Sequence, residues 1–173
     1  TEELRAEYDR WWDEVSQRGG DSVYIVLGNQ AENPSRLTCH DWHGEGARQV
    51  WDQTGIRNAP YNNGYWTVEI DQEGIYDIEL RRWPVELDRG IREGLPPKTS
   101  RLGGDELPPG KALSIEQARL RIGDVDVTKD VPADAKGISF SADLKKGKTK
   151  LETWFIDDKG DSLGAYYVYV KRR

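Results

Sequence analysis

Both histidines and the single cysteine of this 173-residue chain fall within five positions, in the run Arg36-Leu37-Thr38-Cys39-His40-Asp41-Trp42-His43. Imidazole, thiol and carboxylate side chains at close spacing are the raw material of a metal centre or a nucleophile with its base. Spacing argues against both. On an extended strand, Cys39, Asp41 and His43 point one way while His40 and Trp42 point the other, so the two imidazoles face opposite sides of a sheet and cannot hold one ion. The expectation is a small buried Cys39 with histidines bonded to neighbouring loops, and no complete catalytic centre.

Carboxylates are abundant, but paired-acid chemistry needs two of them held at a fixed separation, one in an apolar pocket. Glu69, Asp77 and Glu79 are instead expected on a polar sheet face, paired with Arg81 or Arg82. The Asp157-Asp158-Lys159-Gly160-Asp161 segment and Asp124-Val125-Asp126 offer oxygen ligands of the kind calcium takes, without the twelve-residue helix-loop-helix pattern; turn formation is the favoured reading of both. A third constellation is aromatic. Trp42, Trp51, Tyr61 and Trp83 fall near strand ends or in loops, where an exposed ring can stack on a sugar while Asn62, Asn63, Arg36 or His43 bonds hydroxyls or sulfate. Trp66 and Trp154 are assigned to packing.

These residues need elements to hold them. Leu4, Tyr8, Trp11, Trp12 and Val15 recur at steps of three and four, with Glu2, Glu3 and Glu7 at the start, so residues 1–18 read as an amphipathic helical lead-in. Gly19-Gly20 ends it, and Asp21-Ser22 opens strand-like Val23 to Leu27. Tyr65 to Asp71 and Ile75 to Trp83 alternate in polarity around Gln72-Glu73-Gly74, the signal of a hairpin. Gly90 to Gly110 lacks periodicity and reads as a long mobile loop. Further strands are expected over 113–122, 125–127, 137–142, 149–156 and 165–170. With no helical pattern between them, residues 19–173 read as one all-β unit, an antiparallel, jelly-roll-like β-sandwich after one N-terminal helix.

Composition narrows the function. Seven Trp and eight Tyr give a core despite a hydrophobic fraction of 36%. The formal charge of −6, without a basic stripe, argues against nucleic acid and other anionic surfaces. No apolar run is long enough to cross a bilayer as a helix. The chain starts at Thr1 and contains no Met, which suggests a fragment or processed product.

Several strings, taken in order, resemble the C-terminal region of bacterial arylsulfatases: Tyr8-Asp9-Arg10-Trp11-Trp12-Asp13-Glu14-Val15, Thr38-Cys39-His40-Asp41-Trp42-His43-Gly44, Asn63-Gly64-Tyr65-Trp66, Leu80-Arg81-Arg82-Trp83-Pro84 and Gly164-Ala165-Tyr166-Tyr167-Val168-Tyr169-Val170. The resemblance implies a helix that closes a catalytic α/β unit, followed by an extra β domain, in a periplasmic or exported parent. It implies no chemistry in this chain. The family's nucleophile sits in a Cys/Ser-x-Pro-x-Arg motif beside calcium, and the matching place before Pro34 and Arg36 holds Glu32. Calcium and the catalytic residues are expected in a preceding domain, and no cofactor here.

Three functions follow as expectations. The favoured one is a non-catalytic accessory domain that packs on a sulfatase catalytic domain through Leu4, Tyr8, Trp11 and Trp12. The alternative is a carbohydrate-binding module for sulfated or plain polysaccharide, with Trp42, His43, Trp51, Tyr61, Asn62 and Trp83 at its site. The third is an independent hydrolase built on His40 and His43.

Overall fold

The computed structural model describes residues 1–17, 19, 23–45, 47, 50–99 and 106–173. Arg18, Gly20, Asp21 and Ser22, on which the expected junction between helix and first strand partly falls, lie outside the described residues. Helix α1 spans Glu2–Ser16, with Glu2 and Glu3 in its first turn, and none of its residues is buried. No helix is long and apolar enough among the described residues to cross a membrane.

Among the described residues ten strands follow: β1 (Ile25–Leu27), β2 (Ser35–Thr38), β3 (Tyr65–Ile70), β4 (Gly74–Arg81), β5 (Ile115–Ile122), β6 (Val125–Asp130), β7 (Ile138–Leu144), β8 (Gly147–Asp157), β9 (Ser162–Leu163) and β10 (Tyr167–Arg172). They form two sheets, ordered β1-β3-β8-β5-β6 with β9 beside β8, and β2-β10-β4-β7. The expected all-β sandwich is what the chain adopts. Every pairing of named strands is antiparallel except β1 with β3, which is parallel.

Alternation explains the core. Trp66, Val68 and Ile70 of β3 and Leu151 and Phe155 of β8 meet Tyr76, Ile78 and Leu80 of β4 and Val168 and Val170 of β10, all buried. Burial of such side chains stabilises by about 1.5–3 kcal/mol each, and this inter-sheet layer holds the fold together.

One expectation fails informatively. β3 and β4 do not form a hairpin: β3 pairs with β1 and β8, while β4 pairs with β10 and β7. The Gln72-Glu73-Gly74 link carries the chain from one sheet to the other, so both strands send their apolar faces into the same core from opposite sides. A second arch, Lys145-Lys146, does the same between β7 and β8 and stacks on the first, with Ile70 opposite Gly147 and Gly74 opposite Leu144. Gly74 and Gly147 take φ of 138° and 139°, which side chains other than glycine rarely adopt. The genuine two-residue hairpin is Gly123-Asp124, between β5 and β6.

Three further details differ from the sequence reading. A short helix, α2 (Gln53–Asn58), lies among the strands, capped by the Asp52 carboxylate on the Gly55 amide at 2.7 Å. Cys39–Asp41 is a 3-10 turn rather than strand. The described part of the 90–110 loop is tied down, with Leu95 bridged to Gly110 and Lys98 to Leu107. Two buried arginines pin it: Arg57 donates to the carbonyls of Pro96 and Pro108, and Arg82 to those of Ile91, Glu93 and Lys111. Residues 100–105 lie outside the described residues.

Candidate functional site

The 3-10 turn at Cys39 to Asp41 overturns the strand argument for the histidines. His40, Asp41 and His43 all line one cleft of about 380 Å³, together with Val23, Ile25 and Thr67. A tight turn advances side chains by about 120° per residue rather than 180°, so alternation no longer separates the imidazoles.

Among the described residues, neither the thiol nor the hydroxyl beside this cleft is an activated nucleophile. Cys39 is buried, its thiol donates to the Val50 carbonyl at 2.9 Å, and burial pushes its pKa up to about 12. A thiol held protonated does not attack. The Thr67 hydroxyl donates to the Val23 carbonyl at 2.9 Å and lies 3.3 Å from His43 Nε2. With its one proton spent, Thr67 accepts from His43, so this imidazole nitrogen is a donor and not a base toward the hydroxyl. His40 is exposed beside Asp41. Among the described residues no three His, Cys, Asp or Glu side chains come together as a metal-binding group.

The aromatic constellation splits. Trp42 is 7% exposed and Trp83 1%, so neither offers a ring to a sugar. Trp42 fills a slot beside two glycines: a Cβ on Gly64 would stand 2.6 Å from its Cβ, and one on Gly164 2.5 Å from its Cζ2. The indole of Trp83 donates to the Glu93 carbonyl and lies under the Arg82 guanidinium. Trp51 and Tyr61 are exposed, at 62% and 53%, while His43 and Asn62 are half-buried. Trp154, expected in the core, is half-buried on the outer sheet face, beneath Arg119 and Arg121. On the same face Lys148 covers Tyr24 and Lys150 covers Tyr65, so cations already occupy the rings there.

The acidic segments are engaged in local structure. Asp157 accepts from the amides of Lys159 and Asp161 and from the Tyr61 hydroxyl at 2.6 Å. Asp126 is bound by Arg119 through two bonds, Asp77 by Arg173, and Glu79 by Arg81 on its own strand. Arg82 pairs with none of these acids.

The Tyr61 bond and the two amides hold the Asp157 carboxyl below its ordinary 3.8. A depressed carboxylate pKa stabilises the fold above the unfolded value, and that contribution is lost as pH falls through the folded one. Tyr61→Phe is therefore expected to raise the Asp157 midpoint in a carboxyl-carbon NMR titration. Its destabilisation is expected to be greatest near about pH 7 and to fade below about pH 4; a midpoint that stays put would contradict this.

A second cavity has residues that sequence reasoning left unassembled. It is a groove of about 700 Å³ between the outer face of β2 and β10, helix α2 and the loop after β4, lined by Arg36, Arg57, Arg89 and Lys98, by Glu86, and by Gln53 and Tyr167 among others. Arg36 was the one such residue singled out beforehand. The others come from α2, from β10 and from a Pro-rich, aperiodic stretch whose distant segments meet only through the fold. The density of Arg, Lys and Pro across 84–98 was the available signal.

Fold and site together define a two-sheet sandwich domain with an exposed helical lead-in and a basic groove. No protein-family model matches the chain, and no curated protein matches it. Among solved structures it is similar to a ruminal GH26 endo-β-1,4-mannanase (TM-score 0.42, 13% identity, 88% of this chain and 27% of that chain). It is similar also to the Podospora anserina GH26-CBM35 β-(1,4)-mannanase (0.43, 11%, 82% and 28%). A third is the exo-β-1,3-galactanase Pc1,3Gal43A of Phanerochaete chrysosporium with galactose (0.37, 7%, 80% and 29%). The chain spans less than a third of the length of each.

Proposed function

We propose that this chain is a non-catalytic accessory domain of a sulfatase, a sulfate-ester hydrolase, which seats helix α1 on the catalytic domain of the same parent. The observation that carries the reading is the apolar face of α1. Leu4, Tyr8, Trp11, Trp12 and Val15 are exposed by 71, 55, 51, 52 and 39%, and no residue of the helix is buried. The three rings form a cluster, with Tyr8 5.7 Å from Trp11 and 6.3 Å from Trp12. Contiguous exposed aromatics mark association surfaces, and tryptophan is the residue type that most often dominates them. The cleft chemistry points the same way, since Cys39 and Thr67 are both disarmed as nucleophiles.

Calorimetry of this chain against the purified catalytic domain tests the proposal. One-to-one association is expected, weakened about thirtyfold or more by Trp11→Glu/Trp12→Glu, as loss of hot-spot tryptophans implies. The same pair of changes is expected to alter the unfolding free energy of the sandwich by less than about 0.5 kcal/mol, because exposed positions contribute little. Absence of association, or association indifferent to the double substitution, overturns the reading.

A further inference from the structure

We propose that the groove beside α2 binds a polyanionic glycan, a saccharide chain bearing sulfate or carboxylate groups. Its volume of about 700 Å³ falls inside the usual range for ligand sites, about 300–1,000 Å³. Charge is the distinguishing feature. Among the described residues, four cations, Arg36, Arg57, Arg89 and Lys98, line it against the one carboxylate Glu86, in a chain whose formal charge is −6. The whole-chain sum hides this concentration, which is why composition alone pointed away from anionic partners.

The cations are of two kinds. Arg57 is 6% exposed, and its Nη1 donates to the carbonyls of Pro96 and Pro108 while its Nε has no partner among the described residues. No carboxylate among the described residues pairs with it, and its two carbonyl bonds fix the cation in the groove wall. Arg36 and Arg89 are solvent-exposed and only loosely held, to Glu86 at 3.3 Å and to Glu93 at 3.7 Å. Exposed pairs of this sort contribute little to stability and exchange readily for a ligand anion. Guanidinium forks match sulfate and carboxylate oxygens in pairs.

The remaining lining selects a sugar over a peptide. Pro84, Pro96, Pro97, Leu87, Leu95 and Leu107 supply apolar walls for the C–H faces of pyranose rings, and Gln53 and Tyr167, bonded to each other at 3.3 Å, supply partners for hydroxyls. A peptide binding by strand addition needs free main-chain groups. Here prolines have none to donate, and the amides of Leu95, Lys98 and Leu107 already donate to the carbonyls of Gly110, Leu107 and Lys98, respectively, across the loop.

The test is calorimetric titration of the chain with dextran sulfate and with polygalacturonate, beside neutral dextran and polyglutamate. Arg89→Gln/Lys98→Gln removes two exposed groove cations, and Lys145→Gln/Lys146→Gln removes two exposed lysines at the arch between β7 and β8. Binding of at least one charged glycan is expected, weakened about tenfold or more by the groove variant and about twofold or less by the arch variant, with dextran and polyglutamate weaker than either. The two glycans separate sulfate from carboxylate as the recognised group. No binding of either, equal losses in both variants, or polyglutamate bound as tightly as the glycans overturns the proposal. Both variants leave α1 intact, so the result is independent of whether the helix docks on a sulfatase domain.

Discussion

Replacing Arg82 by Met is expected to lower the unfolding free energy by about 3 kcal/mol or more and to loosen the loop that walls the groove. Arg82 is wholly buried, stacks on Trp83 at 4.5 Å, and donates to the carbonyls of Ile91, Glu93 and Lys111. Two effects oppose each other. Desolvation pulls its guanidinium down to about 10, a sign that burying the charge is costly, and Met would remove that cost. Against this, hydrogen bonds from a charged donor contribute about 1.5–3 kcal/mol each, and three carbonyls from separate parts of the loop would lose them together. The bonds win because, among the described residues, the Glu93 carbonyl alone keeps a donor, the Trp83 indole, while the carbonyls of Ile91 and Lys111 are left without the planar fork that held them. Arg82→Lys retains charge without the fork and is expected to recover less than half of the loss. Urea denaturation measures the energies. Amide exchange should accelerate at Leu95, Gly110 and Leu113, whose amides bond within the loop; a loss under about 1 kcal/mol, the net contribution of one ordinary hydrogen bond, would contradict the argument.

The groove illustrates which parts of a sandwich a sequence makes legible. Alternation located nearly every long strand and assigned Trp66, Ile78 and Leu80 inward, because polarity with period two reflects one face meeting the core. It could not say which strand lies beside which. An arch and a hairpin present the same alternating runs around the same short glycine link, and β3 and β4 turned out to face each other across the core rather than pair. Period also failed where backbone geometry changed within a few residues: the 3-10 turn at Cys39 brought His40 and His43 to one cleft. Aromatic positions in loops were misleading for a related reason. Trp42 and Trp83 sit outside the strands, yet Gly64 and Gly164 let the chain close on the first and Gly110 on the second, and these contacts are distant in sequence. The basic groove was hidden most completely, since Arg57 and Lys98 approach only after two loop segments are bonded across α2.

Trp66→Ala is expected to be among the most damaging single changes, costing about 3–5 kcal/mol, because this indole does two things at the junction of the sheets. Its ring is fully buried and meets Trp42 edge-on at 5.7 Å, in the layer between β3 and the opposite sheet. Its Nε1 crosses that layer to donate to the Thr38 carbonyl at 2.8 Å, at the end of β2, where Thr38 faces Tyr167 in the ladder with β10. Trp66→Phe separates the contributions. Phe keeps much of the apolar volume but leaves the carbonyl without its donor, an expected loss of about 1–3 kcal/mol for an unsatisfied buried acceptor. If packing alone mattered, Phe would recover nearly all of the stability lost in Ala. If the bond anchors β2 to the opposite sheet, Trp66→Phe should also speed exchange of the Cys39 amide, which bonds to the Tyr166 carbonyl just beyond that ladder. The effect should reach the basic groove as well, since Arg36 and Thr38 on β2 form part of its floor. A Phe variant with unchanged stability and unchanged protection at Cys39 would reduce Trp66 to a filler of space.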